Sequence, residues 1–322
     1  MTRSRGAHSG LRPIDMRRDL RAVADLIETA FAGRLDPEGR RMLHWMRNLG
    51  RAGWIGWLLN YWLLPPAAHP LGFVWEVDGR VVGNASLLKV AGCLKRWVLS
   101  NVAVYPDHRR RGIGRALVQA SIDMVHRRRG EVILLQVDRD NRVAQVLYAS
   151  YGFRPLSTRT TWVRRRDQAL PVTAEYGLAR RRARGEWHEQ WELARRVHPE
   201  GLIWPFPVAA SLFRPNSLLD TFGLDSMRHW VWSEGGKLLA SLTARRGVGL
   251  GSWRLILVVE PRARGRVEAS LLARGLDDLA LSDHMVLDYT AGLAVEELGE
   301  LGFRPERTLT WMAVDLSDRI HG

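Results

Sequence analysis

The chain of 322 residues has one cysteine, Cys93, and three lysines, Lys89, Lys95 and Lys237. A single thiol excludes an intrachain disulfide and fits a reducing compartment. No CxxC pair, HExxH helix or Cys/His cluster occurs, so the ligand spacing of a zinc site is missing and no metal is expected. A Walker A loop and a GxSxG elbow are also missing. Uncharged apolar runs are short. "AGWIGWLLNYWLL", from Ala52 to Leu64, is stopped by Pro65-Pro66. A helix of that length rises only ~20 Å against ~30 Å of bilayer hydrocarbon, so it cannot span. The opening "MTRSRGAHSG" carries charge but no apolar core. It reads as a disordered tail over residues 1–10 rather than a secretory signal. Together these absences point to a cytoplasmic protein.

What is present is apolar bulk and arginine. Hydrophobic residues make up 46% of the chain, enough for packed cores, and the length suits two ordinary domains. The net charge is +14, and all but three of the 48 basic residues are arginine. A polyanionic partner would explain such charge, and so would a GC-rich genome writing arginine for lysine. The second reading accounts for the total and the first for local clusters. The arginines are spread along the chain without a nucleic-acid motif, so no nucleic-acid partner is expected.

The first half reads as an alternation of strands and helices. Leu11 to Ile14 forms a short strand, and Leu20, Val23, Leu26, Ile27 and Phe31 recur at helical spacing. "GFVWEVDGRVVGNASLLKV" reads as a hairpin turning at Asp78-Gly79. "RWVLSNVAVYP" is a strand, Arg115 to Arg129 a helix, and "EVILLQVD" a central strand. Asn141 to Tyr151 is helical, Gly152 ends it, and "FRPLSTRTTWVRRR" is a last strand.

The order then recurs. Trp75 matches Trp232, Pro106 matches Pro261, Gly152-Phe153-Arg154-Pro155 matches Gly302-Phe303-Arg304-Pro305, and Trp162 matches Trp311. The slowly drifting offset reads as a tandem duplication, with one domain over 11–166, a second over 172–316, and the boundary in "VRRRDQALPVTAEYG".

Between Val102 and Val118, in "VAVYPDHRRRGIGRALV", a strand runs into a glycine-rich turn and a helix start. The first helical amides lack intrahelical partners and the macrodipole adds about half a positive charge, so this is an anion site. Gly112 and Gly114 leave room for a diphosphate to approach the backbone. Arg111 and Arg115 share a helix face, and Arg109 and Arg110 reach outward from the loop.

Arg109-Arg110-Arg111-Gly112-Ile113-Gly114 resembles the R/Q-x-x-G-x-G/A signature of the GNAT N-acetyltransferase family, and "LQVDRDNRVAQVLYASYGF" resembles its second signature. The resemblance runs from Leu11 to about Arg166. It implies an α/β (α+β) fold class with two tandem GNAT folds, each a mixed, splayed β-sheet flanked by helices. The implied cosubstrate, acetyl-CoA, lies where the two central parallel strands splay. By the family pattern the backbone of the Val102-Ala103-Val104 strand pairs with the pantetheine arm. The amides of Arg109, Arg110, Arg111, Gly112, Ile113, Gly114 and Arg115 hold the pyrophosphate. Asn141 contacts the pantetheine side and Tyr148 faces the thioester sulfur.

Tyr148 suits that role chemically. At a pKa of about 10 it is protonated at neutral pH and can donate to a departing thiolate, although full transfer to a thiol of about 8.5 is uphill by ~2 kcal/mol. It also suits a plain buried aromatic before a helix end. Gln136 stands where the family's protein N-terminal acetyltransferases often carry a glutamate, and it cannot take a proton. Glu76, Asp138, Asp140, or a water held near Asn84, Ser100 and Asn101, remain open as the base.

At the matching positions the second copy reads Arg264-Gly265-Arg266-Val267-Glu268-Ala269, with Leu298 for the tyrosine and Ala291 near the asparagine. Val267 is expected to crowd the diphosphate and Glu268 to repel it, leaving a degenerate domain. Arg40, His44, Arg47 and Arg51 fall on one helical face and Met42, Trp45, Met46 and Leu49 on the other, followed by Trp54, Trp57, Tyr61 and Trp62. This segment and "LIWPFPVAASLF" (202–213) suit a lid over the acceptor, a surface resting on a membrane, or domain packing. The implied activity is acetyl transfer from acetyl-CoA to an amine of a small molecule or peptide, by direct attack in a ternary complex in the first domain. A mycothiol-synthase-like tandem enzyme and a non-catalytic acyl-CoA sensor are the alternatives.

Overall fold

The computed structural model describes residues 9–33, 37–51, 71–90, 93, 95–165, 168, 176–198, 201–203, 206–215, 226–246, 252–279 and 284–317. The tail before residue 9, the tryptophan-rich stretch at 52–64 and most of the 165–173 boundary lie outside them. Among the described residues no helix is long and apolar enough to cross a membrane. The chain divides into two compact units, Met1–Leu156 with Trp311–Gly322, and Ser157–Thr310.

The first unit begins with β1 (Gly10–Pro13), α1 (Met16–Ala30) and α2 (Pro37–Arg51). Asp15 starts α1 by accepting from the Arg17 amide at 2.9 Å, and Leu20, Val23, Ala24 and Ile27 bury one face. Next come β2 (Leu71–Val77) and β3 (Arg80–Lys89), joined at Asp78 and Gly79 with φ of 49° and 79°. Two left-handed residues in succession make the type I′ turn that matches strand twist. β4 (Arg96–Val104), a 3₁₀ turn at Pro106–His108, α3 (Ile113–Arg127), β5 (Val132–Asp138) and α4 (Arg142–Ala149) follow.

The strands lie in the order β1-β2-β3-β4-β5. Neighbours are antiparallel except β4 and β5, which are parallel. On one face Leu43 of α2 and Val23 and Ile27 of α1 share a core with Val74, Val81 and Ala103. On the other, Ile113, Leu117 and Val118 of α3 and Tyr148 of α4 share one with Leu87, Leu99, Ile133 and Leu135.

β6 (Arg154–Arg164) carries the chain from the first unit into the second. There follow β7 (Ala179–Arg181), α5 (Trp187–Val197), the short pair β8 (Leu202–Ile203) and β9 (Phe206–Pro207), and β10 (Ser226–Glu234). β11 (Lys237–Arg246), β12 (Ser252–Val259), α6 (Glu268–Asp278), β13 (His284–Thr290), α7 (Val295–Glu300) and β14 (Phe303–Asp315) complete the chain. The second unit's strands run β6-β13-β12-β11-β10-β7. β12 and β13 form its parallel pair.

This division differs from the 11–166 and 172–316 ranges read off the repeat. Residues 159–164 of β6 pair antiparallel with β13, from Thr290↔Arg159 to Met285↔Arg164, and Trp162 lies in the second unit's core. Residues 311–316 return to the first unit, where Met312, Val314 and Leu316 are buried with Leu135 and Phe153. There the Leu316 amide donates to the Glu131 carbonyl at 2.6 Å. Each repeat thus completes its sheet with the other repeat's last strand. β6 and β14 are 11 and 13 residues long without an internal turn, so the chain continues past its own sheet instead of folding back.

Candidate functional site

The site of the first unit starts where two strands part. β4 and β5 pair from Arg96↔Val132 to Leu99↔Leu135 and no further. Against β3 the register of β4 slips between Asn84 and Ser86, with Asn101 held at a φ of 52°. That extra residue is a bulge, which bends β4 away from β5 and re-aims the backbone beyond it. Val102 and Val104, both half-buried, lie on the splayed part. Ala103 between them is buried in the α1–α2 core.

The turn after β4 forms a cradle. Arg110 and Gly112 are both left-handed, with φ of 61° and 77°. A Cβ added at Gly112 would meet nothing within 4 Å, so the space above it is open. α3 begins with no side-chain cap and no acidic residue in its first turn, so its leading amides and dipole face that space. Arg109, Arg110, Arg111 and Arg115 are exposed around it, while the Ile113 side chain is buried in the core and offers only its amide. Arg109 sits differently from the expectation that it reaches outward, since its Nε donates to the Val104 carbonyl at 3.1 Å. It occupies one of the strand-edge groups expected to pair with the pantetheine arm.

Asn141 caps α4, its Oδ1 accepting from the Ala144 amide at 3.1 Å. Gln145 Nε2 donates to the carbonyls of Asp138 and Arg139 and fixes the turn before it. Tyr148 is buried in the α3–α4 core, its ring edge-on to Phe153 at 5.8 Å. Burial pushes its pKa up to about 12. Tyr151, which the sequence left unremarked, donates from its hydroxyl to the Arg115 carbonyl at 3.0 Å and ties the end of α4 to the cradle.

The candidate bases separate by environment. Glu76 accepts from Arg12 Nε at 2.7 Å and from Arg18, while Arg12 also holds buried Asp19 at 2.6 and 2.8 Å. It is an anchor of β1, β2 and α1. Asp138 accepts from the Asp140 amide at 2.9 Å as part of a turn, and Asp140 points into solvent beside Arg139. The expected faces of α2 are rotated by one residue. Met42 is exposed and Leu43 is buried, and Arg47 pairs with Asp25 at 2.9 Å and with Glu28 on α1.

A model of the acetyltransferase (GNAT) family matches residues 34–153. Over 82 residues the chain is 35% identical to the ribosomal protein bS18-alanine N-acetyltransferase of Escherichia coli (strain K12), covering 23% of this chain and 55% of that protein. The chain thus spans little more than half of that relative's length. Over 117 residues it is 30% identical to the N-alpha-acetyltransferase RimI of Mycobacterium tuberculosis, covering 36% of this chain and 71% of that protein. The chain belongs to the GNAT acetyltransferase family. A tandem GNAT protein from the clavulanic acid biosynthesis pathway is similar in fold, with a TM-score of 0.54 and 18% identity over 96% of this chain and 98% of its own. The tandem arrangement read from the repeat is therefore a GNAT architecture.

The second GNAT unit keeps the splay and loses the rest. β12 and β13 also stop pairing at Leu255↔Leu287. β12 meets β11 in unbroken register, so the bulge is gone. Gly265 keeps its left-handed turn, but Val267 has a φ of −116° where Gly112 has 77°. Contrary to expectation, the Val267 side chain does not crowd the cradle; the changed backbone sends it into the core, fully buried. Glu268 fills the cradle instead. Its buried carboxylate accepts from the amides of Gly265 at 3.0 Å and Val267 at 3.2 Å, and from the Tyr289 hydroxyl at 2.8 Å. Leu298, at the place of Tyr148, is buried in the core, and α7 has no side-chain cap where Asn141 caps α4.

Proposed function

We propose that the protein is an acetyl-CoA-dependent N-acetyltransferase that works through the first unit, and that its acceptor is the amine of a peptide or protein N-terminus. The observation that carries this reading is the contrast between the two cradles. One is open and ringed by Arg109, Arg110, Arg111 and Arg115; the other is stopped by the chain's own Glu268 carboxylate. An internal carboxylate taking the turn amides marks them as an anion site, and the first unit leaves the same amides to a ligand. The two sequence relatives above are named for N-acetylation of a ribosomal-protein alanine and for N-alpha-acetylation, which favours a peptide over an amino sugar or polyamine.

The residues present fit acetyl-CoA. The cosubstrate supplies an acetyl group activated as a thioester. The amides from Arg110 to Arg115 bind its diphosphate, with the arginines neutralising charge around them. The splayed edge of β4 at Val102 and Val104 holds the extended arm by strand addition, and Arg109 releases the Val104 carbonyl to do so. Asn141 uses its Oδ1 on α4 and presents its amide nitrogen to the arm. Tyr148 holds a proton on its hydroxyl for the sulfur, and the buried ring excludes water around it. The second unit contributes fold and no catalyst.

The test is a thiol-release screen with acetyl-CoA against a hexapeptide with a free N-terminal alanine, spermidine, glucosamine and an aminoglycoside. Wild type should release thiol with the peptide. Gly112→Val should bind acetyl-CoA at least tenfold more weakly, because valine disfavours a φ of 77° and its side chain enters the open space. The reading fails if no amine raises release above acetyl-CoA alone, or if the variant binds acetyl-CoA as wild type does.

A further inference from the structure

Behind the β4 bulge the first unit buries a polar cluster that its fold leaves partly unmatched. Asn84 is wholly buried on β3, Ser86 nearly so, and Ser86 is the register partner of Ser100 on β4. Residues two apart on a strand share a face, as do register partners, so the three side chains lie together. The register partner of Asn84 is Ala103, which belongs to the α1–α2 core, so the cluster lies on that face, across the sheet from α3.

Asn84 Nδ2 donates to the Asn101 carbonyl at 2.9 Å and to Ser86 Oγ at 3.1 Å. A carbonyl only accepts, so the nitrogen must face Asn101 and the orientation of the amide is settled. Its Oδ1 is then left buried without a hydrogen-bond partner, and so is Ser100 Oγ. Each unmatched buried polar atom has given up its hydrogen bonds to water without replacement, which costs stability. Ser100 directly follows the last β4–β5 pair, where the strands part, and Asn84 lies behind the bulge on β3. Neither serine hydroxyl bonds to Oδ1, which leaves it open to a donor from outside the cluster, and nothing in the cluster carries charge.

We propose that Asn84 Oδ1 and Ser100 Oγ form the acceptor subsite and receive the N–H groups of the attacking amine. This inference rests on the transferase reading above and specifies its substrate class. A neutral pair of acceptors holds an uncharged amine with its lone pair free, and gives an ammonium no ion pair to bind it. An α-amine of pKa about 7.7–8.0 is about one-third neutral at pH 7.5, whereas a lysine-type amine of about 10.4 is ~0.1% neutral. The subsite therefore selects chain N-termini over lysine side chains and polyamines. Among the described residues the second unit keeps half of this arrangement: Ser241, at the place of Asn84, also buries a hydroxyl without a partner, and its register partner is Val258. Its Thr243 is taken by Gln190 at 2.9 Å and His229 at 3.0 Å, and the residue opposite it is Ile256.

The test titrates the N-terminal alanine hexapeptide into the protein–CoA complex by calorimetry and follows steady-state kinetics with the same peptide and with spermidine. Ser100→Ala should weaken peptide binding and raise its KM by about 3- to 10-fold, with acetyl-CoA affinity within twofold of wild type. Ser100→Thr, which keeps the hydroxyl, should restore both. Asn84→Ala should weaken the peptide at least as much, and Ser100→Ala keeps the test valid should Asn84→Ala fail to fold. Wild type should prefer the peptide to spermidine at pH 7.5. If wild type turns the peptide over and Ser100→Ala binds and uses it equally well, the subsite is wrong while the transferase reading stands. Equal loss of acetyl-CoA and peptide affinity in Ser100→Ala also overturns it. If wild type leaves the peptide unacetylated, the subsite falls, and if none of the four amines of the screen is acetylated, the transferase reading falls with it.

Discussion

Tyr148→Phe removes one oxygen and keeps the buried ring and its edge contact with Phe153. The hydroxyl's pKa is pushed up to about 12 by burial. Against a thiol of about 8.5, handing over the proton completely is uphill by about 3.5 units, or ~5 kcal/mol. Tyr148 is therefore expected to donate a hydrogen bond to the sulfur as negative charge gathers there. A hydrogen bond to a charged group is worth about 1.5–3 kcal/mol, so kcat should fall by about 10- to 150-fold. Acetyl-CoA affinity, measured by calorimetry, should not change. Because the raised pKa keeps the hydroxyl protonated, the wild-type pH–rate profile should show no loss of an essential acid below about pH 11. A kcat within threefold of wild type would remove Tyr148 from the chemistry. A limb between pH 8 and 10 that vanishes in Tyr148→Phe would refute the argument from burial.

Two further outcomes concern the second unit. Glu268→Ala should strand the amides of Gly265 and Val267 and the Tyr289 hydroxyl, costing about 2–5 kcal/mol in urea unfolding of that unit while acetyl-CoA affinity stays unchanged. His229 has its pKa lowered to about 3 by burial and by the charge of Arg182. A depressed folded-state pKa means that His229's contribution to stability is complete above about pH 6.5 and is lost as pH falls toward 3. Urea melts at pH 7 and pH 4.5 should show that loss in wild type and a smaller one in His229→Gln.

What the sequence disclosed was local. Strand, turn and helix from Val102 to Val118 follow from residues in immediate succession, and so does the Asp78-Gly79 hairpin. The bulge at Asn101 does not, because it exists only relative to the register of β3. Glu268 is visible as a charge beside the second cradle, but its return onto the amides depends on the backbone angle at Val267. On α2, spacing alone put Met42 inside, and a rotation of one residue, about 100°, buries Leu43 instead. The partners of β6 and β14 were least legible of all. Both strands follow the same Gly-Phe-Arg-Pro turn with similar alternation, so nothing along either says which sheet it will join.

That exchange of last strands sets a timetable on the ribosome. The unit bearing the open cradle has most of its chain by Leu156, yet the part of β14 that closes its sheet beside β5 starts only at Trp311. At about 5–20 residues per second, roughly 10–30 s of synthesis separate the two. Through that interval β5 lacks the neighbour it has in the finished sheet, and an unpaired edge is a template for any other strand. A gene cut after the first repeat would make that wait permanent.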